Sequence, residues 1–264
     1  MEQARDFFDE SEALAAVLQD LSPTDWERPT QFKGWTINDV LVHLHFWNRG
    51  ADLALTDPDR FVESLKDLTK ALAASKLREL ENTEVAERGA DLFQAWRALY
   101  TDMAGRWEKL DPKRRVKWAG PDMSVRSSMT ARQMETWAHG QEIFDLLGIR
   151  RQEHDRIRNV VVLGVNAFGW SFKVHGHAVP DRMPFLRLTA PSGAVWDYGE
   201  AGQSDRISGP AVAFAQVVTQ TRNVADTPLV VEGPVAAAWM AEAQCFAGPP
   251  ETPPAPGTRF VRDR

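Results

Sequence analysis

Residues Ser127 to Gly148 read SSMTARQMETWAHGQEIFDLLG. The spacing predicts one helix here, with Gly148 placed as the left-handed residue that ends it. On that helix Glu135 and His139 stand at i and i+4, one turn apart on one face. A carboxylate and an imidazole so placed can grip one ion or form one hydrogen-bonded pair. Most E-x-x-x-H pairs on helices are solvated and stabilise only weakly. Here Ala131, Ala138 and Leu146 neighbour the pair, Trp137 lies in the segment, and no lysine does. Those neighbours set the pair beside apolar surface, yet taken alone it still reads as a surface pair rather than a site.

A third ligand has to come from another element, and the chain carries an earlier pair, His43 and His45. They lie in FKGWTINDVLVHLHFWNRGADLAL, where Gly34 breaks the preceding segment and Thr36 is placed to cap a helix. Asp39, three residues on, completes a capping box with Asp in place of Glu. Ile37, Val40, Leu41, Leu44, Trp47 and Ala51 form the apolar stripe. His43 and His45 flank that stripe on opposite sides, so periodicity does not choose between them. Either imidazole, with Glu135 and His139, gives two nitrogens and one carboxylate oxygen. That set suits zinc with a position open to water or substrate, and iron, nickel or manganese also accept it. Glu142, one turn after His139, is a further candidate ligand or supporting partner.

The remaining chain fills in around these two helices. Phe7, Phe8, Leu14, Val17, Leu18 and Leu21 predict a first helix from about residue 3 to 20, stopped before Pro23. A short helix is expected over Phe61 to Ser75, and a long one from about Thr83 to Leu110, ending before Asp111-Pro112. Another is expected from about Glu153 to Phe172. From about residue 176 the grammar changes. FLRLTAPSG and AVWDYGE alternate with period two around a Pro-Ser-Gly turn, the pattern of a β-hairpin. Ile207 to Arg222 returns to helical spacing, PLVVEG reads as a short buried strand, and Pro234 opens a last helix. The Pro-rich end is expected to be an extended strap or a disordered tail. The layout is therefore α plus α+β, with a helical region over 1–175, an α+β region over 176–250 and a tail over 251–264. Eight of the ten tryptophans fall in the helical part, which favours an aromatic core there.

Composition narrows the partners. The 264 residues carry a formal charge of −6 and no basic run longer than Lys113 to Arg115, which argues against nucleic acid or an anionic membrane. No apolar run approaches the roughly 20 residues that cross a bilayer. The single Cys245 excludes an intrachain disulfide and any multi-cysteine metal site, and it is expected as inert core on an apolar helix face. The charged N-terminus lacks an apolar signal core, so a cytoplasmic protein is expected. His175 and His177 are read as loop residues, and Arg222 as a helix-end arginine.

GWTINDVLVHL followed by METWAHGQEIFDLLG resembles the DinB-like superfamily, specifically its mycothiol-dependent maleylpyruvate isomerase branch. SGPAVAFAQVVTQTRNVADTPLVVEGPVAAAWMAEAQCFAGPP is similar to the C-terminal region of an actinobacterial metal-binding subfamily of that branch, so the likeness covers nearly the whole chain. The resemblance implies an N-terminal DinB-like four-helix bundle holding a divalent metal, zinc first among the candidates. A smaller C-terminal α+β domain of sterol-carrier-like fold would follow. It implies His43, not His45, as the third ligand, because the family histidine immediately precedes the leucine of W-T-x-x-D-x-x-x-H-L. Glu135 and His139 carry over as the E-x-x-x-H ligands. It also implies mycothiol as thiol cosubstrate, ionised at the metal to attack a small electrophile. In the isomerase the thiolate adds across a cis double bond, the bond rotates, and elimination releases the trans product.

Three functions are thus expected in order: a thiol-dependent transferase or isomerase, a thiol-independent hydrolase or isomerase using metal-bound water, and a metal-stabilised binding protein without catalysis. Each acts on a small molecule, as a monomer or homodimer.

Overall fold

Thr36 and Asp39 form the expected capping box. Asp39 N–H donates to Thr36 Oγ1 at 3.1 Å, and Thr36 N–H donates to the Asp39 carboxylate at 2.9 Å. This fixes the start of α2 (Ile37–Thr56), which buries Ile37, Val40, Leu41, Leu44 and Ala51 along one stripe. The computed structural model describes residues 1–263 and divides into two compact units, Met1–Ile143 and Phe144–Arg264. The expected break near residue 175 falls within the second unit.

The first unit is helical. α1 (Glu2–Leu18) buries Phe7, Leu14 and Leu18 at helical spacing. α3 (Pro58–Ala73) starts on the Asp57 side chain, which accepts from Arg60 N–H at 3.1 Å, with Pro58 in the first turn. The long helix expected over Thr83 to Leu110 is instead two, α4 (Leu77–Glu84) and α5 (Gly89–Trp107). Gly89 stands at φ +57°, a left-handed conformation that opens the chain between them. α5 packs on both α1 and α2, and α2 also meets α3 and α4. Phe7, Leu92, Trp96, Tyr100, Met103 and Trp107 are fully buried. A two-residue antiparallel pair, β1 (Arg115–Val116) and β2 (Met123–Ser124), leads into α6 (Val125–Leu146). α6 ends as expected at Gly148, φ +66°. Ile149 N–H donates to Phe144 O at 2.9 Å and Gly148 N–H to Asp145 O at 3.2 Å, a Schellman motif that satisfies two terminal carbonyls.

The second unit is α+β. The helix expected over Glu153 to Phe172 is broken at Ala167 into α7 (Arg158–Asn166) and α8 (Phe168–Val174), after a single 3₁₀ turn at Asp155–Ile157. The hairpin is present: β3 (Phe185–Thr189) pairs antiparallel with β4 (Val195–Tyr198). The helix expected from Ile207 begins later. Arg206–Pro210 is instead β5, parallel to β3, and only then does α9 (Ala211–Val218) start. Gly209 permits this at φ +138°, because a Cβ there would lie 3.1 Å from Pro228 O. β6 (Val230–Glu232) completes the order β4-β3-β5-β6. It is an edge strand with Val230 exposed, not the buried strand expected. α10 (Pro234–Glu242) carries Trp239, which meets Phe168 and Phe214 edge-to-face in the core of this unit. Cys245 is buried beyond the end of α10, where its N–H donates to Val218 O at 2.9 Å, so the helix-face position expected for it is corrected.

The Pro-rich end forms a strap. Glu251 N–H donates to Gln244 Oε1 at 2.9 Å, Asn223 Nδ2 to Pro254 O at 2.8 Å, and Arg262 N–H to Asp145 O at 2.9 Å.

Candidate metal centre

His43 lies in the second turn of α2, and Glu135 and His139 in the middle of α6. Rigid helices thus position all three. The His43 Nε2 to Glu135 Oε2 distance is 3.5 Å, and that from His139 Nε2 to the same oxygen is 3.3 Å. One ligand atom from each residue lies within 4.8 Å of the others. Ligands about 2.0–2.1 Å from a tetrahedral ion are separated by about 3.3 Å, and the two histidine–carboxylate separations are close to that value. Among the described residues this is the group able to hold an ion. The side chains of His43, Glu135 and His139 are 12%, 21% and 15% exposed, leaving the site narrowly open.

A fourth residue, Glu81 on α4, completes the arrangement from behind. His43 Nδ1–H donates to Glu81 Oε1 at 2.7 Å, which turns Nε2 toward Glu135. Glu81 is fully buried and also accepts from Trp47 Nε1 at 3.1 Å and from Arg78. Arg78 in turn pairs with Asp39, the capping carboxylate of α2. The chain Asp39–Arg78–Glu81–His43 is a carboxylate–histidine support of the kind that orients a metal-binding imidazole. Sequence reasoning missed Glu81, because the expected long helix began after it and α4 is highly charged. The one available signal was a Glu placed where a short amphipathic helix turns inward.

Aromatic rings wall the site. Trp35 stacks on His139 at 5.7 Å and 9°, Phe32 meets His139 edge-on at 5.1 Å, and the Arg78 guanidinium lies 4.3 Å from the Trp35 ring. Trp47 flanks His43 at 6.2 Å. Part of the tryptophan content therefore lines the site as well as filling the core.

Charge is concentrated where the rings exclude water. Burial alone would depress the His43 imidazolium, but Glu135 and Glu81 outweigh it and raise its pKa to about 9. Burial opposes ionisation of Glu135, yet the two histidines and Arg132 hold it well below the usual carboxylate range. His139 is lowered, by burial first and then by the charge on His43. In the ion-free protein, then, one proton on His43 stands between two carboxylates.

The other candidates fall elsewhere. His45 is buried and pushed down to about 4 by burial and by Arg49, with Glu87 opposing; it is outside the three-residue group. Glu142 is buried and also outside it. His175 Nδ1 is bonded to Ser171 O at 2.8 Å and His177 to Glu242 at 3.0 Å, both just beyond α8. Arg222 is buried and donates to Asp145 Oδ1 at 2.7 Å, so it forms an internal ion pair.

Residues 7–144, which contain all three donors and Glu81, match the family described as Mycothiol maleylpyruvate isomerase N-terminal domain. The chain belongs to that family. It is also 35% identical over 242 residues to the uncharacterized proteins MT0041 and Rv0036c of Mycobacterium tuberculosis, covering 91% of this chain and 93% of each relative. Among solved structures it is similar to the mycothiol-dependent maleylpyruvate isomerase, with TM-score 0.55 and 12% identity over 88% of this chain and 94% of that one. A histidine-to-alanine mutant of that isomerase gives TM-score 0.53 and 13% identity over 82% and 87%. The family fold, a helical N-terminal part followed by an α+β C-terminal part, is thus the fold of this chain.

Proposed function

We propose that this chain is a metal-dependent enzyme of the mycothiol-dependent maleylpyruvate isomerase type, which activates a small thiol for isomerisation of, or transfer to, a small electrophile. His43, Glu135 and His139 are the proposed ligands of a divalent ion, zinc first among the candidates. The observation that carries the reading is the convergence of three donors within 4.8 Å of one another, with His43 Nδ1 bonded to buried Glu81. A divalent ion bound there supplies the positive charge that keeps a thiol sulfur ionised at neutral pH.

The chain's own residues do the rest. Glu81 keeps the proton on His43 Nδ1, Glu135 supplies the anionic donor, and Trp35, Phe32 and Trp47 keep bulk water from the donors. Charge favours one anionic guest. Asp39, Glu81 and Glu135 are balanced by Arg78, Arg132 and protonated His43. Replacing that proton with a divalent ion leaves one positive charge in excess, which a thiolate would neutralise. No helix among the described residues is long and apolar enough to cross a membrane, consistent with a small-molecule enzyme.

The test has two halves. Elemental analysis is expected to find one metal per chain in the wild type and almost none in His139→Ala; full retention in the variant overturns the ligand set. Conversion of maleylpyruvate is expected to require added mycothiol, and turnover without any thiol overturns the cosubstrate.

A further inference from the structure

Arg132 lies on α6 one turn before Glu135, and only 3% of it is exposed. Its Nε and Nη1 groups have no hydrogen-bond partner. The contrast with other buried or half-buried arginines is sharp: Arg78 is matched by Asp39 and Glu81, and Arg222 by Asp145. A buried guanidinium with idle donors is strongly unfavourable for the fold. It therefore calls for a partner that arrives from outside.

Location says which partner. The Arg132 guanidinium lies 5.2 Å from the Trp118 ring, Trp118 packs on Trp47 at 5.6 Å, and Trp47 flanks His43. Arg132 thus shares the wall of the candidate metal centre, and Glu135 is the carboxylate whose charge it feels. Glu135 directs its Oε2 at the two histidines, leaving the guanidinium donors unused.

We propose that Arg132 is the anion-receiving residue of this site, binding a carboxylate carried by the small molecule that occupies the open side of the ion. This rests on the proposed metal site. A planar guanidinium suits a carboxylate better than an ammonium does, because its several donors have fixed directions. The carboxylate belongs either to the thiol or to the electrophile, and the experiment separates the two.

Cobalt-loaded protein is titrated with 2-mercaptoethanol and with mercaptoacetate, following the sulfur-to-cobalt absorption band. In a second arm, protein saturated with 2-mercaptoethanol is titrated calorimetrically with maleate. Both arms are repeated with Arg132→Met and Arg132→Gln. The wild type is expected to prefer mercaptoacetate, or to bind maleate, by a factor that falls about tenfold or more in the variants, the loss typical of one charge-assisted pair. Loss in the first arm places the carboxylate on the thiol, and loss in the second places it on the electrophile. Both variants are expected to keep cobalt and the 2-mercaptoethanol band, and Arg132→Met to melt no lower than wild type. A preference that survives both substitutions belongs to chelation at the ion and overturns the proposal. So does a variant that loses cobalt or melts markedly lower, since Arg132 is then structural. A wild type that binds cobalt and thiol but ignores both carboxylates overturns this inference alone, and a wild type without cobalt overturns the metal site with it.

Discussion

His43 carries the highest imidazole pKa of the site, and two consequences follow at the scale of single residues. A ligand has to be deprotonated before it binds an ion, so metal affinity is expected to tighten about tenfold per pH unit between pH 7 and 9, then level off. Competition against a chromophoric chelator across that range measures it, and a flat profile contradicts it. The sign for stability is opposite. The folded pKa of about 9 lies above the ordinary histidine value near 6.5, so the ion-free protein has the full benefit of this group below about pH 6.5 and loses it as pH rises through 9. The second residue is Glu81. Glu81→Gln keeps the shape but removes the charge behind His43, and a loss of about 10–100-fold in metal affinity is expected, as for other supporting carboxylates. Unchanged affinity would remove Glu81 from the site. At this scale the sequence was half legible. Glu135 and His139 announced themselves by spacing, and His43 was separable from its neighbour His45 only by resemblance. Glu81 was marked only by its place on the inward face of a short amphipathic helix, and Arg132 was silent, because burial of a charged residue depends on packing and not on local pattern.

Among the elements, α2 and α6 were readable because their ends carry chemistry: the Thr36–Asp39 capping box and Gly148. Elements without such punctuation were misjudged. α4 was not expected, the helix expected from Thr83 taking in only its last residues before running through Gly89 into α5, and α7 and α8 merged across Ala167, where no Gly or Pro marks the break. β5 was hidden because ISGP is too short to show alternation, and its pairing with β3 comes from a parallel crossover. Packing between elements makes its own prediction. A Cβ at Gly164 on α7 would lie 2.7 Å from Val218 Cγ2 and 3.1 Å from Phe214 Cε1, both on α9. Gly164→Ala is expected to cost about 1–3 kcal/mol by overpacking, despite the better helix propensity of alanine. Denaturant unfolding checks this, and a neutral or stabilising result shows that the two helices can separate at no cost.

For the whole molecule, the succession of a helical part and an α+β part was legible because hydrophobic period changes along the chain, from helical spacing to alternation from about residue 176, but the unit boundary after Ile143 was not. The three anchors described for the Pro-rich strap were not legible, since each depends on a distant carbonyl or amide meeting the tail. One feature of the site reaches to the life history of the protein. Because a proton on His43 occupies the gap between Glu81 and Glu135, the empty pocket holds no uncompensated charge at neutral pH. We therefore expect the chain to complete its fold before the proposed ion arrives. Loading of the proposed ion would then be an exchange of one cation for another in a finished cavity, reversible by acid, and the ion acquired would depend on what the surroundings supply to a mature protein, not on what was present while it was being made.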